Sequence, residues 1–444
     1  MRPSTVFGIA AKFLGWSLAI AVACIAAIFG INAFDESPNP GIVEFLKSDL
    51  ENVDDKDNAY FAVVGITAPR GDDIHRAGKS RLDRYASFLK ANPAADRLDL
   101  DLILGRDRLA FKGDTSNLWL YLDPLSCKTS KIPCPSDRDV RKLLADNELL
   151  MKRYLTLNKY PRFYDVAHLF AGYVELIQLE KLMAAIALLD AKSGHLRRAL
   201  ETLGKDLAFT RRSLKDRHDF VAMSVLQVDF SLAATTVSEI VRSYPAALES
   251  EAFPHEALKP GGTMPCRLSS VLAFELSDFP GYVSSLLTPT RDPESGNATI
   301  KFLARHLFQM NASRNYLYDR INQTLALYSV PDKAFPEALG SYRKRYADGL
   351  TWDFLYNPVG KIIVNPLGQL TSFTHCRALD GLLRLVSLQI ELRTRKIQDK
   401  DIEAFLAKEA RNANPLTGKP MVWNDKERLL TLSDTDDPYL SIHY

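Results

Sequence analysis

Four cysteines are the residues whose chemistry depends most directly on where the chain lies. The stretch CKTSKIPC places Cys127 and Cys134 in a short basic loop, and Cys266 and Cys376 follow further along the chain. Zinc sites usually take ligands two to four residues apart within each pair, and thiol redox motifs prefer two intervening residues. Six intervening residues suit neither chemistry. A disulfide remains, and it requires an oxidising compartment.

The stretch DIHRAGKS, residues 73–80, has residue types that bind phosphate. Gly78, Lys79 and Ser80 match the end of a phosphate-binding loop, in which backbone N–H groups and a lysine surround the phosphates. That loop also needs a glycine five positions before Gly78. Asp73 stands there, and its carboxylate would repel phosphate. We therefore expect an exposed turn of helix and no nucleotide site.

Asp72, Asp73 and His75 form the cluster of residue types most typical of a metal site. A metal ion needs three or four converging ligands, and the spacing of these residues matches no defined metal-binding loop. Acidic residues at the start of a helix are also explained by the helix dipole. We therefore predict no metal-binding residues and no cofactor.

No stretch of the chain carries a catalytic signature. The segment HEALK, 255–259, has Lys259 where a zinc protease needs its second histidine, and a GxSxG nucleophile motif is absent. His168 lies near an apolar stripe and is expected to pack in the core. Two of the 54 acidic residues could act as an acid/base pair on a glycan, but their separation in space defines such a pair. We predict no catalytic residues.

An uncharged run of 22 residues, 13–34, is long enough to cross a membrane. At about 1.5 Å per residue a helix of this length spans the roughly 30 Å hydrocarbon core. A cleaved signal peptide is the alternative, but its apolar part is usually shorter and ends in a small-x-small site. A cut after Ala33 would have Ile31 at a position that needs a small residue. A lipoprotein signal at Cys24 fits less well, because Ala21 is a poor lipobox residue. We predict a single uncleaved transmembrane helix.

Charge predicts the orientation of this helix. Arg2 and Lys12 precede it, and Lys47 alone falls in the comparable window after it. Residues 1–12 are therefore expected in the cytoplasm and the rest of the chain outside. The formal net charge is +2, from 56 basic and 54 acidic residues, so no overall field attracts nucleic acid. The expected partners are the lipid bilayer through 13–34 and a protein of the cell envelope.

The membrane-proximal region, 35–135, is expected to be mixed α/β. Helical patterns occur at 41–53 and 72–92. Alternating leucines and aspartates at 98–102 indicate a half-buried strand, and LWLYL at 118–122 indicates another.

A helical region, 136–413, and a C-terminal hairpin and tail, 414–444, complete the predicted layout. The segment 184–214 is typical of two helices joined at a Ser193-Gly194 turn. It resembles one tetratricopeptide-type hairpin, but no second copy occurs. Proline-rich joints are expected near 254–265, 289–293 and 357–366. Further helices are predicted at 137–157, 166–189, 220–244, 267–276, 298–328, 336–347, 378–394 and 400–412. Residues 421–423 and 428–432 flank a polar turn and predict a β-hairpin. The predicted fold class is therefore mainly α.

Five segments resemble those of uncharacterised single-pass inner-membrane proteins of Gram-negative bacteria, in which they occur in the same order. They are NAYFAVVGITAP (58–69), CKTSKIPC (127–134), YNPVGKIIVN (356–365), LDGLLRLVSLQIELR (379–393) and NPLTGKPMVW (414–423). The resemblance implies an inner-membrane anchor and a periplasmic body. It implies no activity and no catalytic residue.

A periplasmic location favours disulfides among the four cysteines outside the span, which permit three pairings. We favour Cys127–Cys134 and Cys266–Cys376. The predicted function is binding, as a scaffold or assembly component of the envelope. An envelope hydrolase that uses acidic residues is the alternative. A sensor is a third reading, although residues 1–12 are too short for a signalling domain.

Overall fold

The computed structural model describes residues 3–48, 53–91, 100–169, 171–260, 266–287, 306–347, 355–367, 371–409, 412–432 and 441–444. In these residues the chain is mainly helical, as predicted, with three short strands near the C-terminus. The predicted joint at 289–293 and the start of the predicted helix at 298–328 lie outside the described residues.

Helix α1, Pro3–Ile31, contains most of the predicted membrane segment. Most of its large apolar side chains from Trp16 onward are exposed, Trp16 by 72%. Ile28 and Phe29 are half-buried, and the Phe29 ring contacts His306. This described apolar stretch, Trp16–Ile31, is shorter than a membrane span. Among the described residues the helix Phe220–Ser243 is long and apolar enough for a span, but most of it is buried in the body. The transmembrane role of 13–34 therefore stays a prediction.

Six helices lie in the described part of the membrane-proximal region, and all except the 18-residue α4 are short. They are α2 (Pro40–Ser48), α3 (Ala59–Val64), α4 (Ile74–Ala91), α5 (Leu100–Leu104), α6 (Leu118–Leu122) and α7 (Pro124–Thr129). The strands predicted at 98–102 and 118–122 are wrong where the structure describes them. In α6, Leu120 and Tyr121 are both buried, which breaks the alternation of a strand. Short apolar runs do not distinguish helix from strand, and packing of α6 against α10 decides here.

Helices α3 and α4 pack so closely that only glycine fits at two points of contact. A Cβ atom on Gly78 would lie 1.7 Å from the Phe61 carbonyl oxygen, and one on Gly65 would lie 1.8 Å from the Ile74 carbonyl oxygen. Gly78 therefore serves helix packing within α4. The expected turn of helix is present, but the expectation that it is exposed is wrong for Gly78.

Three long helices, α10 to α12, form the centre of the body, and two shorter helices precede them. Helix α8 is Asp137–Asp146, α9 is Glu148–Thr156, α10 is Tyr173–Lys192, α11 is Leu196–Ser213 and α12 is Phe220–Ser243. Helices α10, α11 and α12 contact one another. The predicted turn between α10 and α11 is confirmed, with Gly194 at φ +83°. Residues 166–169, predicted as helix, precede the start of α10 and are not helical.

Seven further helices follow in the described residues. They are α13 (His255–Leu258), α14 (Leu268–Leu287), α15 (Met310–Ser329), α16 (Phe335–Ala347), α17 (Pro358–Leu367), α18 (Thr371–Thr394) and α19 (Asp399–Lys408). Helix α14 extends past its predicted end at Leu276 and includes Pro280. The predicted joint at 357–366 is also wrong, because α17 occupies it. Proline suits the first turn of a helix, where its missing N–H is not needed, and Pro358 stands there.

A three-stranded antiparallel sheet closes the chain. Strands β1 (Val422–Asn424) and β2 (Leu429–Thr431) pair within the segments predicted as a hairpin, and β3 (Ser441–His443) was not predicted. Leu430 of β2 lies opposite Trp423 and Ile442. The sheet packs against α12 and α18.

One hydrophobic cluster connects the body, from α2 to β3. It includes side chains from all three predicted extramembrane regions, 35–135, 136–413 and 414–444. These regions therefore share a core, and their boundaries stay predictions of the sequence.

Candidate functional site

The four cysteines outside α1 lie in the two pairs that the sequence favours. The Cα atoms of Cys127 and Cys134 are 5.8 Å apart, and those of Cys266 and Cys376 are 5.9 Å apart, both at disulfide distance. The second pair is buried, and the Gln227 side-chain amide donates to Cys376 Sγ at 3.0 Å. Both pairs are therefore placed to link segments of the body.

A cleft of about 510 Å³ lies where the start of α4 meets the end of α9. Its lining residues are Lys56, Asp57, Asp72, Asp73, Ile74, Arg153, Thr156, Lys159, Tyr160 and Pro161. Its volume is typical of small-molecule sites, but such sites are usually mostly apolar. The lining includes three acids and three cations, so the cleft suits a polar ligand.

Two buried arginines fix the backbone behind the cleft. Arg153 donates to the carbonyl oxygens of Ile66, Ala68 and Pro69, at 2.5 to 2.8 Å. Arg81 donates to the Val64 carbonyl oxygen at 2.6 Å, and burial lowers the pKa of Arg81 to about 10. Both guanidinium groups therefore hydrogen-bond to the end of α3 and the loop that follows it.

Asp72 and Asp73 of the predicted acid cluster line this cleft, but Asp73 and His75 have structural tasks. Asp73 accepts a hydrogen bond from the Arg76 backbone N–H at 2.8 Å and so caps α4. His75 Nε2 donates to the Asp55 carbonyl oxygen at 2.7 Å, and its ring stacks on Tyr160. Within the described residues no group of His, Cys, Asp and Glu side chains is arranged to hold a metal ion.

Three charged groups of the cleft remain for a ligand. Asp57, Asp72 and Lys159 form no side-chain hydrogen bond or ion pair with the described part of the chain. The two carboxylates can accept hydrogen bonds from donors of a polar ligand, and the ammonium group can bind an anionic group of the same ligand. The sequence indicated Asp72 through its acid cluster. Lys159 joins it only in three dimensions.

His168, expected as a packed core residue, instead lies between two carboxylates. Its Nδ1 is 3.4 Å from Asp219 and its Nε2 is 3.1 Å from Asp278. Burial alone would lower the pKa of His168, but the two carboxylates outweigh it and raise the pKa to about 10. The ring therefore stays protonated at neutral pH and cannot act as a general base. Burial also raises the pKa of the neighbouring Glu275 to about 7.

A second cluster of buried acids lies between α9, α10, α11 and α12, and we call it the acid core. It consists of Glu180, Asp206 and Asp229 with Tyr154 and Thr210. The Tyr154 hydroxyl donates to Asp206 at 2.8 Å, and the Thr210 hydroxyl donates to Asp229 at 2.9 Å.

Burial raises the pKa of each acid in the acid core, and that of Asp206 reaches about 6. Neither carboxyl oxygen of Glu180 has a hydrogen-bond partner in the described residues. The three side chains are enclosed, with Glu180 fully buried. The acid core therefore affects stability and has no access to a substrate.

No protein-family model, curated protein or solved structure matches the chain.

Proposed function

We propose that the protein is a single-pass inner-membrane protein, with its N-terminus in the cytoplasm and its helical body in the periplasm, and that it acts by binding. The observation that carries this proposal is helix α1, because most of its large apolar side chains from Trp16 to Ile31 are exposed and not packed into the body. Exposed apolar surface of this kind needs a lipid or protein environment. The positive flank of the segment supports the orientation.

The two cysteine pairs support the same compartment. Both lie at disulfide distance in the body, and the remaining cysteine, Cys24, lies in α1. Disulfides persist in the periplasm and are rare in the cytoplasm.

The cleft at α4 is the proposed binding surface, and a segment of an envelope protein is the proposed ligand. Asp57, Asp72 and Lys159 line the cleft in front of a backbone that Arg81 and Arg153 hold by hydrogen bonds. A polypeptide segment with a basic and an acidic side chain complements them. Because the cleft belongs to a membrane-attached body, binding would assemble that partner at the inner membrane.

Photocrosslinking in cells tests this proposal. A photoreactive residue replacing Lys159 should capture a reproducible partner, and Asp72→Asn should reduce that product. The matched control places the same residue at Lys426, an exposed position in the β1–β2 turn. Equal products at both positions, or none at Lys159, would count against a binding role for the cleft.

The envelope hydrolase remains as a second proposal because Asp57 and Asp72 lie in one cleft. An acid/base pair requires two carboxylates at a suitable separation, with one pKa raised. Hydrolysis of a cell-envelope glycan that disappears in both Asp57→Asn and Asp72→Asn would support it. Hydrolysis retained in both variants would exclude these carboxylates from the reaction.

A further inference from the structure

The end of α1 is joined to the body by a buried asparagine. Asn32 is 1% exposed, and its side-chain amide donates to the carbonyl oxygens of Ile28 and Leu355, both at 2.8 Å. Its side-chain oxygen accepts from the Asn357 backbone N–H at 2.6 Å. One side chain thus connects the last turn of α1 to a segment more than 300 residues later.

A second set of bonds fixes the chain that follows α1. The Asp35 carboxylate accepts from the backbone N–H groups of Asn311 and Ala312, both at 2.9 Å, at the start of α15. Four residues on, the Asn39 backbone N–H donates to the Asn315 side chain at 2.8 Å. The segment after α1 therefore follows α15 and does not act as a free linker.

Asn357 completes the junction from the body side. It has a φ of +51°, a conformation that asparagine and glycine adopt more easily than other residues. Its side chain accepts from the Gln309 backbone N–H and donates to the Ser313 hydroxyl, both at 2.9 Å. These bonds hold the preceding residues, Leu355 and Tyr356, beside the end of α1.

The result is an apolar surface around the end of α1, which we call the collar: Ile31, Phe34, Leu355 and Tyr356. Phe34 is 81% exposed and Leu355 is 37% exposed. The Tyr356 hydroxyl donates to the Phe34 carbonyl oxygen at 3.2 Å. Tyrosine with exposed aliphatic and aromatic neighbours is the composition found where membrane proteins meet lipid headgroups.

We propose that the collar lies in the headgroup region of the bilayer and that the junction at Asn32 holds the body in a fixed orientation on the membrane surface. This inference rests on the proposed membrane span. If 13–34 crosses the bilayer, the Asn32–Leu355 hydrogen bond places Leu355 at the level where the span leaves the hydrocarbon core. If the collar lay outside the bilayer, Phe34 and Leu355 would be exposed to water, which is unfavourable for apolar side chains.

A fluorescent probe at position 355 tests the collar directly. The full chain with Cys24→Ser and Leu355→Cys is labelled with an environment-sensitive dye and reconstituted in phosphatidylethanolamine–phosphatidylglycerol vesicles. The matched control carries Val422→Cys instead, at a site on β1 that is 44% exposed. We expect a blue-shifted emission that spin-labelled lipids quench at position 355, and no such quenching at position 422.

The outcomes distinguish the proposed position of the collar from the proposed membrane span of α1. If the protein stays in the vesicles while both labels report water, the proposed position of the collar is wrong and the proposed membrane span is retained. Protein that leaves the vesicles would overturn both. If Leu355→Cys prevents folding, Tyr356→Cys carries the label. Asn32→Ala should lower the quenching at position 355, and unchanged quenching would contradict the role of the junction.

Discussion

The two cysteine pairs differ in what they connect. Cys127 and Cys134 are partly exposed, and they link α7 to the segment that precedes α8. Cys266 and Cys376 are buried and join the start of α14 to α18, with a sequence separation of 110. In the chain-entropy model a loop of eight residues contributes about 2.5 kcal/mol and a loop of this larger size nearly 5 kcal/mol.

This difference assigns separate roles to the two pairs. The long link holds together segments that meet only in the folded core, so the stability of the body depends on it. The short link constrains a surface segment, so the stability of the body depends less on it. Both roles follow from the number of residues in the loop that each bond closes.

The largest predicted effect is on the long link. The variant Cys266→Ala with Cys376→Ala should lose about 5 kcal/mol of unfolding free energy, measured by urea unfolding of the full chain in nanodiscs. Reduced protein that carries Cys127→Ala and Cys134→Ala, compared with the same variant oxidised, separates the loss of the long bond from the loss of the Cys266 and Cys376 side chains. A loss no larger than that of the short-link variant would contradict the comparison.

The second predicted effect concerns the acid core. The acid core lies near the long link, because Asp229 lies on α12 together with Gln227, which donates to Cys376. A raised pKa means that the folded state keeps a proton that the unfolded state releases. The contribution of Asp206 to stability is therefore greatest below its unfolded-state pKa of 3.8, and it is lost as the pH rises through about 6. The loss for this carboxyl is about 3 kcal/mol.

Glu180→Gln should reduce this pH dependence, because its amide can donate to the neighbouring carboxylates. We expect a gain of about 1–3 kcal/mol at pH 8 and little change at pH 4. Urea unfolding across this range measures it, and Glu403→Gln, an exposed acid on α19, is the control. The same slope in Glu180→Gln and wild type would show that the acid core does not titrate as described.

The third predicted effect on stability concerns the short link. The variant Cys127→Ala with Cys134→Ala should lose about 2.5 kcal/mol, roughly half the effect of removing the long link. It should retain the core, so near-ultraviolet circular dichroism should match that of the wild type. Loss of that signal would mean that the surface loop organises the core.

The smallest predicted effect concerns His168, which contacts α14, the helix that the long link enters. The raised pKa of His168 stabilises the fold fully below pH 6.5, and this contribution is lost as the pH rises through about 10. Because Asp278 is half exposed, we expect His168→Gln to cost about 1 kcal/mol at pH 6 and nothing above pH 10. His195→Gln, at an exposed turn, is the control. A cost that persists above pH 10 would indicate packing and not charge.

Periodicity predicted the long helices because their apolar faces repeat over many turns. The turn at Ser193-Gly194 was predictable from glycine, which adopts the positive φ observed there. The pairing of the cysteines was also predicted, since compartment and spacing left few choices. The short helices α5 and α6 were not predicted, because five residues are too few to separate a helix from a strand.

The cleft and the buried ionisable groups depend on contacts between distant segments. Asp72 was identified from its neighbours, but nothing near Lys159 in the sequence indicates the cleft. His168 meets Asp219 and Asp278, which lie 51 and 110 positions later. Such pairs leave no local pattern, so packing must be known before the pKa of His168 can be argued.

The central claim is that α1 crosses the inner membrane with the body outside the cytoplasm. A phosphatase that is active only in the periplasm tests it, fused after Tyr444 in one chain and before Met1 in another. We predict activity from the C-terminal fusion and none from the N-terminal fusion, with equal amounts of both proteins in the membrane fraction. An active N-terminal fusion and a silent C-terminal one would contradict the account.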